Sequence, residues 1–104
     1  RGVNWICPLS EGLLQAYFKR KAKQERVYWR KIKFEGQRGC PDCLIAFEGR
    51  IVLVELKRPD KRGRLSELQK KQIKRLTDAG IEAHVIDSKD GIDAIIKDIT
   101  TPRD

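Results

Sequence analysis

The run IVLVELK, residues 51–57, constrains the fold of this 104-residue chain more than any other stretch. From Ile51 to Leu56 the apolar residues stand side by side rather than alternating, which predicts a central strand buried on both faces of a sheet. Glu55 and Lys57 interrupt that run. An unpaired charge in such a strand costs several kcal/mol. We therefore expect both charges to be paired with other charges or to bind a metal ion.

The charge balance indicates a polyanionic partner. Lys and Arg outnumber Asp and Glu by 23 to 15, which gives a net charge of +8 and a pI near 9.7. A small domain this basic typically binds nucleic acid, and a lysine-rich surface without such a partner is the alternative. Hydrophobic residues make up 39% and charged residues 37% of the chain, a polar composition that still permits a core. The length favours a single domain over residues 1–104.

The sequence gives no sign of a membrane partner. No apolar stretch approaches the ~18 residues that a spanning helix needs, and no signal peptide is visible. We therefore expect a cytoplasmic protein.

The three cysteines leave a second chemistry open. Cys40 and Cys43 form a C-x-x-C pair, which is found in zinc sites and in thiol–disulfide pairs. A structural zinc ion needs four ligands, and only Cys7 and His84 could complete the set. Neither supplies a second closely spaced pair, so buried or incidental thiols are the simpler interpretation. His84 falls in a predicted strand and is expected to be a packed or edge residue rather than a base.

Periodicity predicts seven elements in the order α-β-β-β-α-β-α. Helices are predicted over residues 10–24, 66–80 and 90–99, and strands over residues 26–34, 43–47, 51–57 and 81–87. The strand–helix–strand segment 51–87 should be a right-handed crossover, which makes its two strands parallel. The fold class is therefore α/β, with a mixed sheet flanked by helices.

Local signals mark the helix starts. Ser10 is a candidate N-cap for the first helix, whose apolar stripe includes Leu13, Leu14 and Phe18. Ser66 and Gln69 have the spacing of a capping box at the start of the second helix.

A two-residue turn at Glu48-Gly49 would place Asp42 directly opposite Glu55 on neighbouring strands. Opposed residues share one face of a sheet, and Lys57, two residues after Glu55, shares it too. Two carboxylates at that distance repel, and a divalent cation such as Mg²⁺ removes the repulsion. The alternative is a salt bridge at the end of a strand, with Asp42 serving as a turn residue.

These residues carry a resemblance to a known family. The sequence PD, followed after twelve residues by ELK, resembles the PD-(D/E)XK nuclease superfamily. The longer series RGCPD, VLVELK, LSELQ and DAGIEAHVIDS is similar to its VRR-Nuc branch, the virus-type replication-repair nucleases. The similarity spans residues 11–96 and implies a restriction-endonuclease-like core.

The resemblance implies a metal site for Mg²⁺ or Mn²⁺. Asp42 and Glu55 match the ligating carboxylates, and the backbone carbonyl of Leu56 would be a further ligand. Glu11 resembles the acidic residue of the first helix that completes the site; it could instead only complement the helix dipole.

The resemblance also assigns residues that act beside the metal. Lys57 matches the catalytic lysine, and Gln69 matches a helix glutamine near the site, although a capping role explains Gln69 equally well. The candidate phosphate contacts are basic residues in two loops: Arg38, Lys61, Arg62 and Arg64.

The implied activity is endonucleolytic hydrolysis of DNA with a 3′-oxygen leaving group. The stand-alone phage and bacterial versions that this chain resembles cut branched DNA, including four-way (Holliday) junctions, as homodimers. Residues 3–9 and the last helix are the candidate dimer interface. Two functions remain as alternatives: a general DNA-nicking nuclease and a catalytically silent DNA-binding module. A small zinc- or thiol-based structural protein is a third.

Overall fold

The computed structural model describes residues 11–57 and 66–102. The elements follow the predicted order: α1 (Glu11–Gln24), β1 (Tyr28–Lys31), β2 (Cys43–Phe47), β3 (Arg50–Leu56), α2 (Glu67–Asp78), β4 (Glu82–Ile86) and α3 (Lys89–Thr100). No helix in these two ranges is long and apolar enough to cross a bilayer. The predicted N-cap Ser10 lies outside them.

The four strands form one mixed sheet in the order β1-β2-β3-β4. The first three strands are antiparallel neighbours, and β3 pairs with β4 in parallel, which confirms the predicted pairing. Glu48 and Gly49 have φ values of 47° and 86°, and Phe47 pairs with Arg50. Two positive φ values in a two-residue loop are the geometry that matches the twist of a hairpin. The predicted register of β2 and β3 is therefore confirmed.

One face of the sheet carries the apolar core. Alternate residues of β2 and β3 meet the buried faces of α1 and α3 there, and the members include Cys43, Ile45, Val52, Val54, Leu56, Leu14, Phe18, Ala22, Ile92, Ile95, Ile96 and Ile99. The apolar face of α3, which we expected in a dimer interface, is thus buried inside the fold instead.

The other face of the sheet carries the charged residues. Leu53 and Glu55 alternate with the core residues of β3 and are both 6% exposed. Helix α2, which connects β3 to β4, reaches this face through Gln69. Glu55 is therefore separated from the apolar core by the sheet itself.

Two residues are more exposed than predicted. Ile51 is 55% exposed, so β3 is buried on both faces only from Val52 onward. It lies one residue from the hairpin turn, at an end of the strand. Leu13 is 59% exposed, whereas Leu14 and Phe18 are fully buried. Residues four apart share a helix face, so the stripe that starts at Leu14 faces the core and Leu13 lies on its flank.

The predicted strand 26–34 is shortened to Tyr28–Lys31 for two reasons. The Arg26 N–H donates to the Lys23 carbonyl, and the Val27 N–H donates to the Ala22 carbonyl, at 3.2 and 2.8 Å. These bonds form a Schellman motif that assigns Arg26 and Val27 to the end of α1. At the other end, Lys31 pairs with Cys43, the first residue of β2, so the ladder stops where its partner begins.

Candidate functional site

The acid pair lies at the end of the β2–β3 hairpin remote from its turn. Cys43 pairs with Val54, so Asp42, one residue earlier, falls opposite Glu55 as predicted. The Asp42 carbonyl accepts a 2.9 Å hydrogen bond from the Ile32 N–H, which fixes the backbone next to β1. Asp42 is partly exposed and Glu55 is buried. The two carboxylates therefore share a face that opens to solvent on the Asp42 side.

Glu55 is held by an amide and an ammonium. Gln69 donates from Nε2 to Glu55 Oε2 at 3.0 Å, and Lys57 Nζ lies 3.8 Å from the same oxygen. A hydrogen bond and an opposite charge offset the cost of burying a carboxylate. Gln69 Oε1 also accepts from the Ser66 N–H at 3.0 Å, completing the capping box. The two roles considered for Gln69, capping and site contact, are thus both present in the geometry.

Asp42 contacts a lysine that the sequence did not indicate. Lys31 Nζ lies 3.2 Å from Asp42 Oδ2 and donates to Gln15 Oε1 at 2.8 Å. The Leu56 N–H also points to Asp42, at 3.4 Å from Oδ1. Lys31 becomes visible as a neighbour only once the β1–β2 register is known, because it pairs with Cys43, the residue after Asp42. No local sequence signal sets that register.

The backbone of Glu11 begins α1, and its side chain lies outside the described part. Gln15 follows four residues later, on the same helix face. Since Gln15 contacts the lysine that contacts Asp42, the N-terminal turn of α1 lies near the acid pair. The role of Glu11 as a third acid stays a prediction.

The donor set fits a hard cation better than zinc. Mg²⁺ and Mn²⁺ favour carboxylate and carbonyl oxygens and retain waters, so a pair of carboxylates suffices to bind them. Across residues 11–57 and 66–102, no cluster of three or more His, Cys, Asp or Glu side chains could hold a metal ion. A metal site at Asp42 and Glu55, with Glu11 and the Leu56 carbonyl as candidate additions, stays a prediction.

The two described cysteines are free thiols. Burial raises the pKa of Cys43 to about 12, and the nearby Asp42 charge adds to that effect. Burial followed by the Glu55 charge also raises the pKa of Cys40. Metal binding and disulfide exchange need the thiolate, which both environments disfavour. The environment of the C-x-x-C pair therefore gives no support to zinc or redox chemistry; Cys7 lies outside the described residues.

The remaining predicted residues lie in the connection before β2, in the edge strand β4, or outside the described ranges. Arg38 is exposed in the connection between β1 and β2. His84 lies in the edge strand β4, exposed, with Nε2 at 3.2 Å from Glu82 Oε2, so it is an edge histidine as expected. The basic residues of the loop after β3, Lys61, Arg62 and Arg64, lie outside the described part of the chain. Their predicted phosphate contacts, and that of Arg38, stay predictions.

Comparisons with known proteins give one consistent result. The family of VRR-NUC domains matches residues 1–90. A solved structure named "VRR_NUC domain" is 30% identical, with a TM-score of 0.74 over 84% of this chain and 94% of that one. A second, "VRR_NUC domain protein", is 20% identical and matches in fold, with a TM-score of 0.75 over 90% of each chain. No curated protein matches the sequence.

Proposed function

Since this chain belongs to the VRR-NUC family and is a nuclease-type DNA-processing domain, we propose that it is a Mg²⁺- or Mn²⁺-dependent endonuclease that hydrolyses DNA phosphodiester bonds. The observation that carries the proposal is the buried Glu55 carboxylate, opposed to Asp42 and held by Gln69 and Lys57. A buried carboxylate with specific polar and charged partners is a candidate functional residue. The lysines beside both acids also favour a phosphate anion nearby.

Each side chain has a distinct task in the proposed reaction. Asp42 and Glu55, with Glu11 and the Leu56 carbonyl, would hold the divalent ion. When bound, that ion polarises the phosphate and makes water more acidic. Lys57 orients the attacking water or takes its proton, and helps to neutralise charge that develops on the phosphate oxygens. Water attacks phosphorus, the bond to the 3′ oxygen breaks, and the products are a 5′-phosphate and a 3′-hydroxyl.

Substitution of the acids tests the proposal. We expect Asp42→Asn and Glu55→Gln each to lower cleavage by more than ~100-fold, because each removes one of the metal ligands. DNA binding should persist, since affinity comes mainly from Lys and Arg contacts to phosphates. Labelled DNA with Mg²⁺, Mn²⁺ or EDTA gives the cleavage rate, and fluorescence anisotropy gives the affinity.

Asp78→Asn is the matched control for these variants. Asp78 makes an exposed pair with Lys74 on α2, so its loss should leave cleavage unchanged. Near-parental cleavage by either acid variant would remove that acid from the site. Tight DNA binding without cleavage by the parent protein, with any of the metals, would favour the catalytically silent DNA-binding module.

We further propose that the substrate is branched DNA, including four-way junctions, and that the protein acts as a homodimer. The described part of the chain contains one acid pair and would supply one active site. Paired incisions across a junction need two active sites, which a homodimer provides. The interface would involve residues 3–9, which lie outside the described ranges, because the apolar face of α3 is already buried.

Light scattering tests the assembly. We expect a mass about twice 12.0 kDa at micromolar concentration, and an interface of more than ~1,000 Å² in total. Cleavage should be faster on four-way junctions than on flap, single-stranded or linear duplex DNA. A strict monomer that cuts junctions symmetrically would contradict the dimer. A monomer that cuts linear or flapped DNA alone would point to the general nicking nuclease.

A further inference from the structure

A basic groove of about 350 Å³ lies between the last turns of α1 and the edge strand β1. Its lining includes four cations, Lys19, Lys23, Arg26 and Arg30, and no acidic residue. Within the described ranges none of the four forms an ion pair with a carboxylate. Uncompensated positive charge in a concave surface concentrates anions there. The groove is therefore suited to a chain of phosphates.

An aromatic side chain lies among these cations. Tyr28 is 52% exposed, and the Arg30 guanidinium lies over its ring at 4.6 Å from the centroid. An exposed ring beside an arginine, in a groove lined by further cations, is an arrangement that binds single strands, because an unpaired base can stack on the ring while cations contact the backbone. Bases within a duplex are already stacked and offer no free face. The groove chemistry thus fits a single strand better than a duplex.

The backbone of Arg26 supports a binding role. Arg26 has φ of 61° and occupies the left-handed position of the Schellman motif that ends α1. Glycine is the usual residue there, because any side chain strains this conformation. An arginine at a strained position is a reason to look for a role of its side chain. Its side chain adds a fourth cation to the groove.

Strand β1 links the groove to the acid pair. Lys31 ends β1 with Nζ at 3.2 Å from Asp42 Oδ2, and Tyr28 begins the same strand. Three residues of extended chain separate them by roughly 10 Å, which matches about three nucleotide steps of a stacked strand. A DNA strand that leaves the acid pair along β1 therefore meets the groove.

We propose that this groove binds a single-stranded DNA segment flanking the cleaved bond. Lys19, Lys23 and Arg26 contact its phosphates, and an unpaired base stacks on Tyr28. The inference rests on the proposed function of the Asp42–Glu55 site, because it gives the groove the same substrate. In this proposal, the groove recognises the unpaired strand at a branch or a flap.

Binding without cleavage tests the proposal. Labelled oligothymidine and a duplex of equal length are titrated by anisotropy in EDTA, with Glu55→Gln as the parent protein. Arg26→Gly should weaken single-strand binding ~3- to 10-fold and lower the salt slope by about 0.7. It should melt no earlier than the parent, since glycine relieves the left-handed strain. Tyr28→Ala should weaken single-strand binding ~5-fold or more and leave duplex binding within ~2-fold.

Lys74→Gln is the matched charge control, because Lys74 is an exposed cation paired with Asp78 on α2. It should bind both DNAs like the parent. If Arg26→Gly and Tyr28→Ala both bind single-stranded DNA with parental affinity, the proposed binding role of the groove is wrong. Equal losses on single strand and duplex in Tyr28→Ala would overturn its assignment to an unpaired strand. The binding measurement needs neither metal nor cleavage. An inactive wild-type protein would therefore contradict the proposed function, while the binding result could still be interpreted.

Discussion

Gln69 uses both ends of its side-chain amide. Oε1 accepts from the Ser66 N–H at the start of α2, and Nε2 donates to the Glu55 carboxylate. The Ser66 hydroxyl in turn accepts from the Gln69 N–H at 3.1 Å. A carboxamide has one acceptor and one donor end, so it can serve a helix cap and a carboxylate together. The position of α2 and the orientation of Glu55 are therefore fixed by one side chain.

Gln69→Glu separates the two roles. A carboxylate still accepts from the Ser66 N–H but can no longer donate to Glu55, and two acids in contact repel. We expect DNA cleavage to fall by ~10-fold or more. Ser66→Ala is the matched control, since it removes the cap at a cost of about 1 kcal/mol and leaves the Nε2 donor in place. Urea denaturation and cleavage rates are measured for both. Equal activity of the two variants would restrict Gln69 to capping.

The sequence predicts both residues of the acid pair but misses two of their neighbours, for a physical reason. Asp42 and Glu55 could be placed opposite each other because a two-residue turn fixes the hairpin register. Lys31 and Gln15 could not, because the connection from β1 to β2 spans residues 32–42 and no short turn sets its register. Long-range contacts of that kind follow from packing, which local pattern does not encode.

At the scale of elements, the connection into β2 packs against the start of α2. Gly39 has φ of 82°, and a Cβ built there would lie 2.8 Å from Leu68 Cγ and 3.2 Å from the Leu68 carbonyl carbon. Real Cβ atoms do not approach so closely, and the left-handed backbone adds strain for any other residue. Gly39 therefore allows the segment before Asp42 to pack closely against α2, the helix whose Gln69 contacts Glu55.

Gly39→Ala tests that spacing, with Gly36→Ala as the control. Gly36 has a similar φ of 78° but no atom within 4 Å of an added Cβ. Both variants should lose about 1 kcal/mol of unfolding free energy to backbone strain, and Gly39→Ala a further ~1–3 kcal/mol to overpacking. Cleavage per folded molecule should fall in Gly39→Ala alone. Equal stability of the two variants in urea would show that Leu68 relaxes without cost.

Element order was predictable from periodicity, whereas element ends depended on partners. The capping box at Ser66 was local and is confirmed. The end of α1 at Gln24 was predicted correctly, but the length of β1 was not, because the Schellman bonds at Arg26 and Val27 and the start of β2 at Cys43 limit that strand. The end of a strand depends on where the neighbouring strand begins, and that position cannot be inferred from one segment of the sequence.

At the scale of the whole molecule, Arg50 joins three elements. Its Nε and Nη2 donate to the two Glu82 oxygens at 3.1 and 2.7 Å. Nη2 and Nη1 also reach the Asp98 carboxylate and carbonyl at 2.7 and 3.0 Å. The start of β3 is thereby tied to β4 and to the end of α3. The bidentate Arg–carboxylate geometry is the form of surface ion pair that adds measurable stability.

Acid should weaken this tie. Hydrogen bonding to Arg50 lowers the pKa of Glu82 from 4.5 to about 2 in the folded protein. A depressed folded-state pKa adds stability above pH ~4.5, and that stability is lost as pH falls toward ~2. We expect about 1–2 kcal/mol to be lost over that window, the side chain being partly exposed. Urea denaturation from pH 5 to the lowest pH at which the protein stays folded measures it.

Glu82→Gln is the comparison for the acid titration. It keeps two polar side-chain atoms beside Arg50 but cannot ionise, so its stability should depend less on pH in the same window. Identical pH slopes for the two proteins would show that the Arg50–Glu82 pair does not contribute.

Residues 58–65 connect two fixed points beside the acid pair. Lys57 donates its backbone N–H to the Ile86 carbonyl at 2.9 Å, and Ser66 is fixed by the α2 cap. Lengthening a connection between anchored ends costs only ~0.6 kcal/mol for each doubling of its length. Insertions at this point would lengthen the chain between Lys57 and Ser66 and leave Glu55 and Gln69 in place. Under the proposed function, substrate range could therefore diverge in evolution by growth of one segment, with little loss of stability and no change of the acids.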